Sequence, residues 1–235
     1  MTLYHTAFPK RHTVLPVIHV ESRQQSLRNA KIARDTGADG VFLINHGIAG
    51  ETLLEIQDAV ASKHKDWWVG VNCLDMKPSE AFKSIGKKVR GLWMDNAGIQ
   101  EDREDQPLPL RVWEIQQERA SQCLYFGGVA FKYQRPVQDL EAACITAARF
   151  MDVVTTSGPG TGHAADVEKI RRMKVALGET PLAIASGITP ENVNEYLPVA
   201  DCFLVATGIS LTFSELDEVR VKQLMAVVRA YSESH

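Results

Sequence analysis

Three stretches in the last third of the chain combine glycine with hydroxyl side chains: Ser157-Gly158-Pro159-Gly160-Thr161-Gly162-His163, Ala185-Ser186-Gly187-Ile188-Thr189-Pro190-Glu191-Asn192-Val193 and Val205-Ala206-Thr207-Gly208-Ile209-Ser210. Glycine admits close approach to an anion, and backbone N–H groups exposed at a tight turn or a short helix start can cradle a phosphate. Ser186, Gly187, Thr207 and Gly208 are therefore read as ligands of a phosphate, with Ser157 and Gly158 enlarging the site. A diphosphate or a sugar phosphate held at several points would suit such a site. The plainer reading makes residues 189–192 a helix cap with proline at the first helical position, and the first stretch a flexible turn. A cap and an anion site are compatible.

Lys132, Asp95 and His19 follow apolar runs and carry the reactive groups. A lysine there can form a Schiff base, carry a proton or act as an electrostatic clamp; Asp95 and His19 can move protons. Asp95 and Lys132 close neighbouring runs, so a salt bridge between them is within reach. The bland alternatives are a structural ion pair or a rim lysine, and solvated histidines at His46 and His163.

These groups need elements to hold them. Apolar, strand-like runs fall at residues 15–20, 41–45, 67–74, 91–95, 124–132, 152–157, 182–186 and 203–207. Helical spacing fills residues 22–36, 51–61, 112–120, 140–150, 167–177 and 219–231 between and after them. Near-continuous apolar strands alternating with helices imply a buried parallel sheet. Eight such strands predict an α/β fold, a single (β/α)8 TIM barrel over residues 1–235. An open doubly wound sheet is the rival, but no G-x-G-x-x-G follows the first strand, so no dinucleotide cofactor is expected.

Barrel enzymes place their active groups at the C-terminal ends of strands. Those ends carry His19, Asn45, His46, Asn72, Asp95, Asn96, Lys132, Ser157, Ser186 and Thr207. Three aspartates, Asp39, Asp152 and Asp201, recur at the opposite ends in similar helix-to-strand turns and are expected to serve stability. Trp67, Trp68 and Trp93 read as packing residues. Gly127 and Gly128 inside a strand imply close approach of backbone or ligand. The loop over residues 97–109 reads as a solvated acidic loop, with a mobile lid as the alternative.

Composition excludes several classes. With 26 Lys and Arg against 29 Asp and Glu the net charge is −3, and no basic block suggests a nucleic-acid partner. No apolar run approaches the ~18 residues of a membrane span, so no membrane insertion is expected. Four scattered cysteines lack metal or disulfide spacing; no metal is expected, and the location is read as cytoplasmic. Barrels often self-associate, so a homo-oligomer is compatible with the sequence, although no apolar stripe identifies an interface.

The three loop motifs, with Ala200-Asp201-Cys202-Phe203-Leu204-Val205 leading into the third, resemble the BtpA/SgcQ family. Its members are predicted barrels, one linked to photosystem I biogenesis. Ile18-His19, Asp95 and Phe131-Lys132 look like that family's polar positions. The resemblance is strongest over about residues 150–210 and patchy before them. The family's proline-rich loop after the first-strand histidine is absent here, where Val20-Glu21-Ser22 leads straight into a helix. The same loops also look like those of barrels acting on phosphoribosyl or triose-phosphate compounds. Together these features predict a barrel that binds a small phosphorylated metabolite and acts as an isomerase or lyase. The alternatives are a non-catalytic ligand-binding or assembly factor on the same fold, and a barrel that has lost its chemistry.

Overall fold

In the computed structural model, which describes residues 2–118 and 122–234, all eight expected strands form. They are β1 (Thr13–Val20), β2 (Gly40–Asn45), β3 (Trp68–Asn72), β4 (Gly91–Met94), β5 (Leu124–Gly128), β6 (Val153–Ser157), β7 (Leu182–Ala185) and β8 (Cys202–Val205). Each pairs in parallel with the next, and β8 returns to β1, so the sheet is a closed barrel. The first strand meets β8 through residues 13–16 and β2 through residues 17–20, the stagger that tilted barrel strands require.

The helices are α1 (Leu3–Ala7), α2 (Arg23–Asp35), α3 (Gly50–Lys63), α4 (Pro78–Ser84), α5 (Pro107–Glu118), α6 (Leu140–Ala147), α7 (Val167–Leu177) and α8 (Glu218–Ser234). Side chains set several of their starts. Ser22 accepts a bond from the amide of Gln25, Asp139 from Ala142 and Asp166 from Glu168. The short helices α1 and α4 were not expected, and two further elements depart from the sequence expectation. Residues 112–120 were expected as a helix, but α5 begins earlier, at Pro107, and residues 119 and 120 lie outside those described. Between β7 and β8 only a 3-10 turn, Val193–Glu195, replaces a full helix.

Strand alternation divides the core in two. One set of side chains packs outward against the helices; the other, including Leu15, Val17, Phe42, Ile44, Trp68, Trp93, Phe126 and Leu204, fills the barrel. Tyr4 and Phe8 from the N-terminal segment plug its lower end, where the Tyr4 hydroxyl donates to Thr13 Oγ1 at 2.8 Å. All four cysteines are buried. Among the described residues no helix is long and apolar enough to cross a membrane.

The recurring aspartates have one shared role. Asp39 accepts the amide of Val14 at 2.9 Å, Asp152 that of Tyr125 at 2.7 Å and Asp201 that of Leu182 at 2.8 Å. Each lies just before one strand and satisfies an N–H in the strand preceding it. Arg229, Gln116 and Lys174 respectively hold the same carboxylates in place. Replacing Asp152→Ala leaves the amide of fully buried Tyr125 unpaired and is expected to cost about 1–3 kcal/mol. Urea unfolding should report this as a lower midpoint at unchanged slope, with ligand affinity at the far end of the barrel unaltered.

Candidate active site

Alternation also decides which polar groups enter the barrel mouth. His19 follows the inward positions Leu15 and Val17, His46 follows Phe42 and Ile44, and Asp95 follows Trp93. Asn45 has the opposite parity. Its amide braces the loops beside it, donating to Asp75 at 2.8 Å and to the carbonyl of Ile48 at 3.0 Å, while its oxygen accepts the amide of Leu74.

A cleft of about 210 Å³ opens at the mouth. His19, Asp95, Lys132, Ser186 and Thr207 all line it, so five of the expected site residues are brought together. Ser157, Gly158, Gly187 and Gly208 do not line it. The Ser157 hydroxyl is buried, accepts the amide of Lys132 at 2.8 Å and donates to the carbonyl of Gly158. Ser157 therefore places the lysine rather than facing the cleft. The glycines serve contact between loops. A Cβ on Gly187 would lie 2.3 Å from the amide nitrogen of Ala164, and one on Gly208 would lie 1.9 Å from the carbonyl oxygen of Ile188. On Gly158 it would sit 2.1 Å from the carbonyl oxygen of His163. The loops after β6, β7 and β8 thus press against one another.

Lys132 stands four residues beyond the end of β5, because Ala130 and Tyr133 adopt left-handed φ angles of 48° and 60° and turn the chain across the mouth. Its ammonium donates to Ser186 Oγ at 2.8 Å and Thr161 Oγ1 at 3.2 Å. Ser186 itself has a φ of 82°, an unfavourable conformation for a residue with a Cβ. The salt bridge to Asp95 does not form. Asp95 instead accepts a bond from Asn72 Nδ2 at 2.9 Å, and its main chain packs against Gly128, where a Cβ would lie 1.8 Å from the Asp95 carbonyl oxygen.

Burial sets the charge states of these groups. It pushes the Asp95 carboxyl up, with the Asn72 bond and the charges of Lys132 and His46 opposing. It pushes Lys132 down, against the pull of Asp95 and Tyr133. His19 and His46 are also pushed down by burial. A ring nitrogen facing a carbonyl must donate, so the 2.7 Å contact of His19 Nδ1 with the Phe213 carbonyl assigns the proton to Nδ1 and leaves a lone pair on Nε2. The Phe213 ring stacks on His19 at 4.0 Å and 4°.

Thr161 and Phe213 escaped the sequence reading. Thr161 belongs to the glycine-rich turn, but nothing in the pattern singles out its hydroxyl. Phe213 comes from the loop after β8, which is tied to α2 through Gln25 and Asn29 bonds to the Ser214 carbonyl. Trp93 is packed in the barrel as expected and also lines the cleft. The loop at residues 97–109 contributes nothing to the cleft lining. Its Glu101 carboxylate pairs with Arg135 and accepts the amide of Gln138, and these partners hold the acid at about 2. Among the described residues no group of three or more His, Cys, Asp or Glu side chains is placed to hold a metal ion.

The family model described as the BtpA family matches residues 110–230. The chain belongs to the BtpA family. The match spans Lys132, Ser186 and Thr207 but not His19 or Asp95. No curated protein matches the chain. Among solved structures, phosphoribosyl anthranilate isomerase from Thermotoga maritima is 16% identical with a TM-score of 0.65, covering 93% of this BtpA-family chain and 98% of its own. (S)-3-O-geranylgeranylglyceryl phosphate synthase from Thermoplasma acidophilum, in complex with sn-glycerol-1-phosphate, is 17% identical with a TM-score of 0.68 over 98% and 99%. A native KDPGal structure is 12% identical with a TM-score of 0.68 over 94% and 96%. At these identities the likeness is one of fold, the (β/α)8 TIM barrel.

The neutral state of His19 has a measurable consequence. Its folded-state pKa lies below the ordinary value of about 6.5, so His19 destabilises the fold as pH drops from about 6.5 through the folded value and costs nothing above it. Replacing Phe213→Ala keeps the backbone carbonyl but exposes the ring. The His19 midpoint, read by proton NMR, should then rise towards 6.5; an unmoved midpoint would place the desolvation elsewhere.

Proposed function

We propose that this BtpA-family barrel binds a small phosphorylated metabolite, a sugar phosphate or phosphoribosyl compound, and isomerises or cleaves it. The observation that carries the reading is the Lys132 ammonium held between the Ser186 and Thr161 hydroxyls at one side of the mouth. A phosphate oxygen can take the place of either hydroxyl as the lysine's acceptor, and both hydroxyls can then turn to donate to it. Thr207 lines the same side, and the Ser186–Gly187 and Thr207–Gly208 turns supply neighbouring main chain. Binding energy gathered there would be remote from the reacting carbons and available to orient them.

Chemistry would fall to the inward groups. Burial raises the Asp95 pKa, which makes its carboxylate a stronger base than a solvated one. If the phosphate instead lies on Ser186 and Thr207 alone, Lys132 is released to attack a substrate carbonyl and form a Schiff base with loss of water. Neutral His19 offers Nε2 as an acceptor for a substrate hydroxyl. Proton abstraction beside a carbonyl suits both isomerase and lyase outcomes. The solved barrels similar in fold include a phosphoribosyl anthranilate isomerase and a synthase holding sn-glycerol-1-phosphate, which agrees with this reading. Four scattered cysteines without disulfide spacing suit a protein of the reducing cytoplasm.

A thermal-shift screen of phosphorylated metabolites, followed by a turnover assay on the best ligand, tests the proposal. The wild-type protein should be stabilised and should turn that ligand over. Replacing Lys132→Met should abolish the shift, and Asp95→Asn should keep binding while lowering kcat by roughly 10²–10⁴-fold. Binding without turnover would favour a ligand-sensing or assembly role. Borohydride trapping at Lys132 would select the Schiff-base route.

A further inference from the structure

The opposite end of the barrel carries a cavity of different character. Its volume is about 280 Å³, and its walls are the loops before β3 and β4 and the end of α3. Lys65, Lys87, Lys88 and Arg90 all line it, beside Trp67. Lys88 is matched, its ammonium lying 2.9 Å from Asp58. Lys65, Lys87 and Arg90 are exposed and have no ion pair or side-chain hydrogen bond among the described residues. Asp66 lines an adjoining cavity and pairs with none of them. Elsewhere Arg28, Lys31, Arg172 and Lys174 each sit against a carboxylate, and the chain as a whole carries a net charge of −3.

The fold does not require this positive cluster. The C-termini of α3 and α4 favour cations on this face, but α2 and α6 end there too and are followed by Asp39 and Asp152. Those aspartates and Asp201 stand directly before β2, β6 and β8, where each accepts a strand amide. Arg90 stands directly before β4, in the place of such an aspartate. Its main chain is fixed on both sides: the amide donates to the Val69 carbonyl at 3.0 Å, and the carbonyl accepts the amide of Leu124 at 2.9 Å. Gln57 donates to the Lys88 carbonyl at 3.1 Å. Unmatched cations around one concavity raise its potential and draw an anion into it.

We infer that this cavity binds the diphosphate group of a small metabolite. One phosphate group carries roughly 1.5 to 2 negative charges, too few for three unmatched cations, whereas two groups suffice. Lysine and arginine are the side chains suited to such oxygens. The adjoining cavity, about 310 Å³ in volume, shares Lys65, Trp67 and Arg90 and has room for the rest of the molecule. A long polyanion would run beyond the patch onto a surface that is negative overall, so a small ligand is favoured. The site lies at the far end of the barrel from Lys132 and does not rest on the phosphate reading there.

Calorimetric titration of the full chain with pyrophosphate and with inorganic phosphate tests this, using Lys132→Met so that the cation of the cleft does not compete. Pyrophosphate should bind that protein about tenfold or more tighter than phosphate, the effect of one additional charge-assisted hydrogen bond. Adding Lys87→Gln and Arg90→Gln should bring the two affinities together, and adding Lys65→Gln alone should move them in the same direction. These side chains are exposed, so the melting temperature without ligand should not change. Three results overturn the inference: no pyrophosphate binding to Lys132→Met, equal affinity for the two anions, or an affinity that the replacements at Lys65, Lys87 and Arg90 leave untouched. An RNA oligonucleotide that displaces pyrophosphate and binds more tightly would assign the cavity to a polymer and overturn the small-ligand reading. Failure here leaves the proposal for the Lys132 cleft standing, and failure of that proposal leaves this one standing.

Discussion

The mouth of this barrel is organised around one partly dehydrated cation. Lys132 has left the strand, and its position depends on a chain of contacts behind it. The left-handed turns at Ala130 and Tyr133 carry it across the opening, and the buried Ser157 hydroxyl grips its amide. Its ammonium meets hydroxyls, not a carboxylate. That choice matters physically. A direct pair with Asp95 would satisfy both charges and close the cleft, whereas separation leaves each under the other's field but free to engage a third group. Asn72 makes the separation workable, because it supplies the hydrogen bond that Asp95 would otherwise seek from the lysine.

Holding Ser186 opposite that cation requires a strained backbone. A left-handed φ at a residue with a Cβ costs on the order of 1–3 kcal/mol and persists only where the surroundings fix it. Here they do. Asn192 donates to the Gly187 carbonyl at 2.7 Å, its own side-chain oxygen accepts the amide of Thr189, and Arg220 joins the Gly208 carbonyl to Glu191. Glycine at positions 187 and 208 then lets the three loops interlock without the clash that any Cβ would bring. Residues 189–192 cap no α-helix, since only the 3-10 turn Val193–Glu195 follows; their side chains brace the loop instead.

Much of this was legible in the residues. The eight apolar runs give the eight strands in order, because a buried parallel strand needs an almost unbroken apolar segment. The aspartates before β2, β6 and β8 announce themselves by recurrence. His19, Asp95, Lys132, Ser186 and Thr207 stand out as polar groups following apolar runs. What lay hidden was direction. Strand parity separates inward His46 from outward Asn45, yet both simply follow an apolar run. The motif Ser-Gly-Pro-Gly at residues 157–160 looks like an anion cradle, but the folded Ser157 hydroxyl points back to the chain. Phe213 over His19 is a contact across 194 residues, and no local pattern encodes it.

Burial alone does not mark function in this protein, and two pairs of residues show what does. Asp95 and Asp152 are both pushed up by burial. Asp152 sits at the closed end with a strand amide and the Gln116 amide as fixed partners, so its carboxylate has a structural role. Asp95 faces the cleft with the single side-chain bond from Asn72. Lys132 and Lys169 are both pushed down by burial. Lys169 donates to the carbonyls of Ala130 and Ser157 at 2.7 and 2.9 Å, main-chain acceptors whose positions are fixed by the backbone. Lys132 donates to hydroxyls, which rotate and can exchange the lysine for a ligand oxygen at little cost. A shifted pKa becomes a sign of chemistry where the partners are exchangeable and the group faces an opening. By that criterion Asp95 and Lys132 are the candidates for acid–base chemistry, whereas Asp152 and Lys169 are parts of the framework.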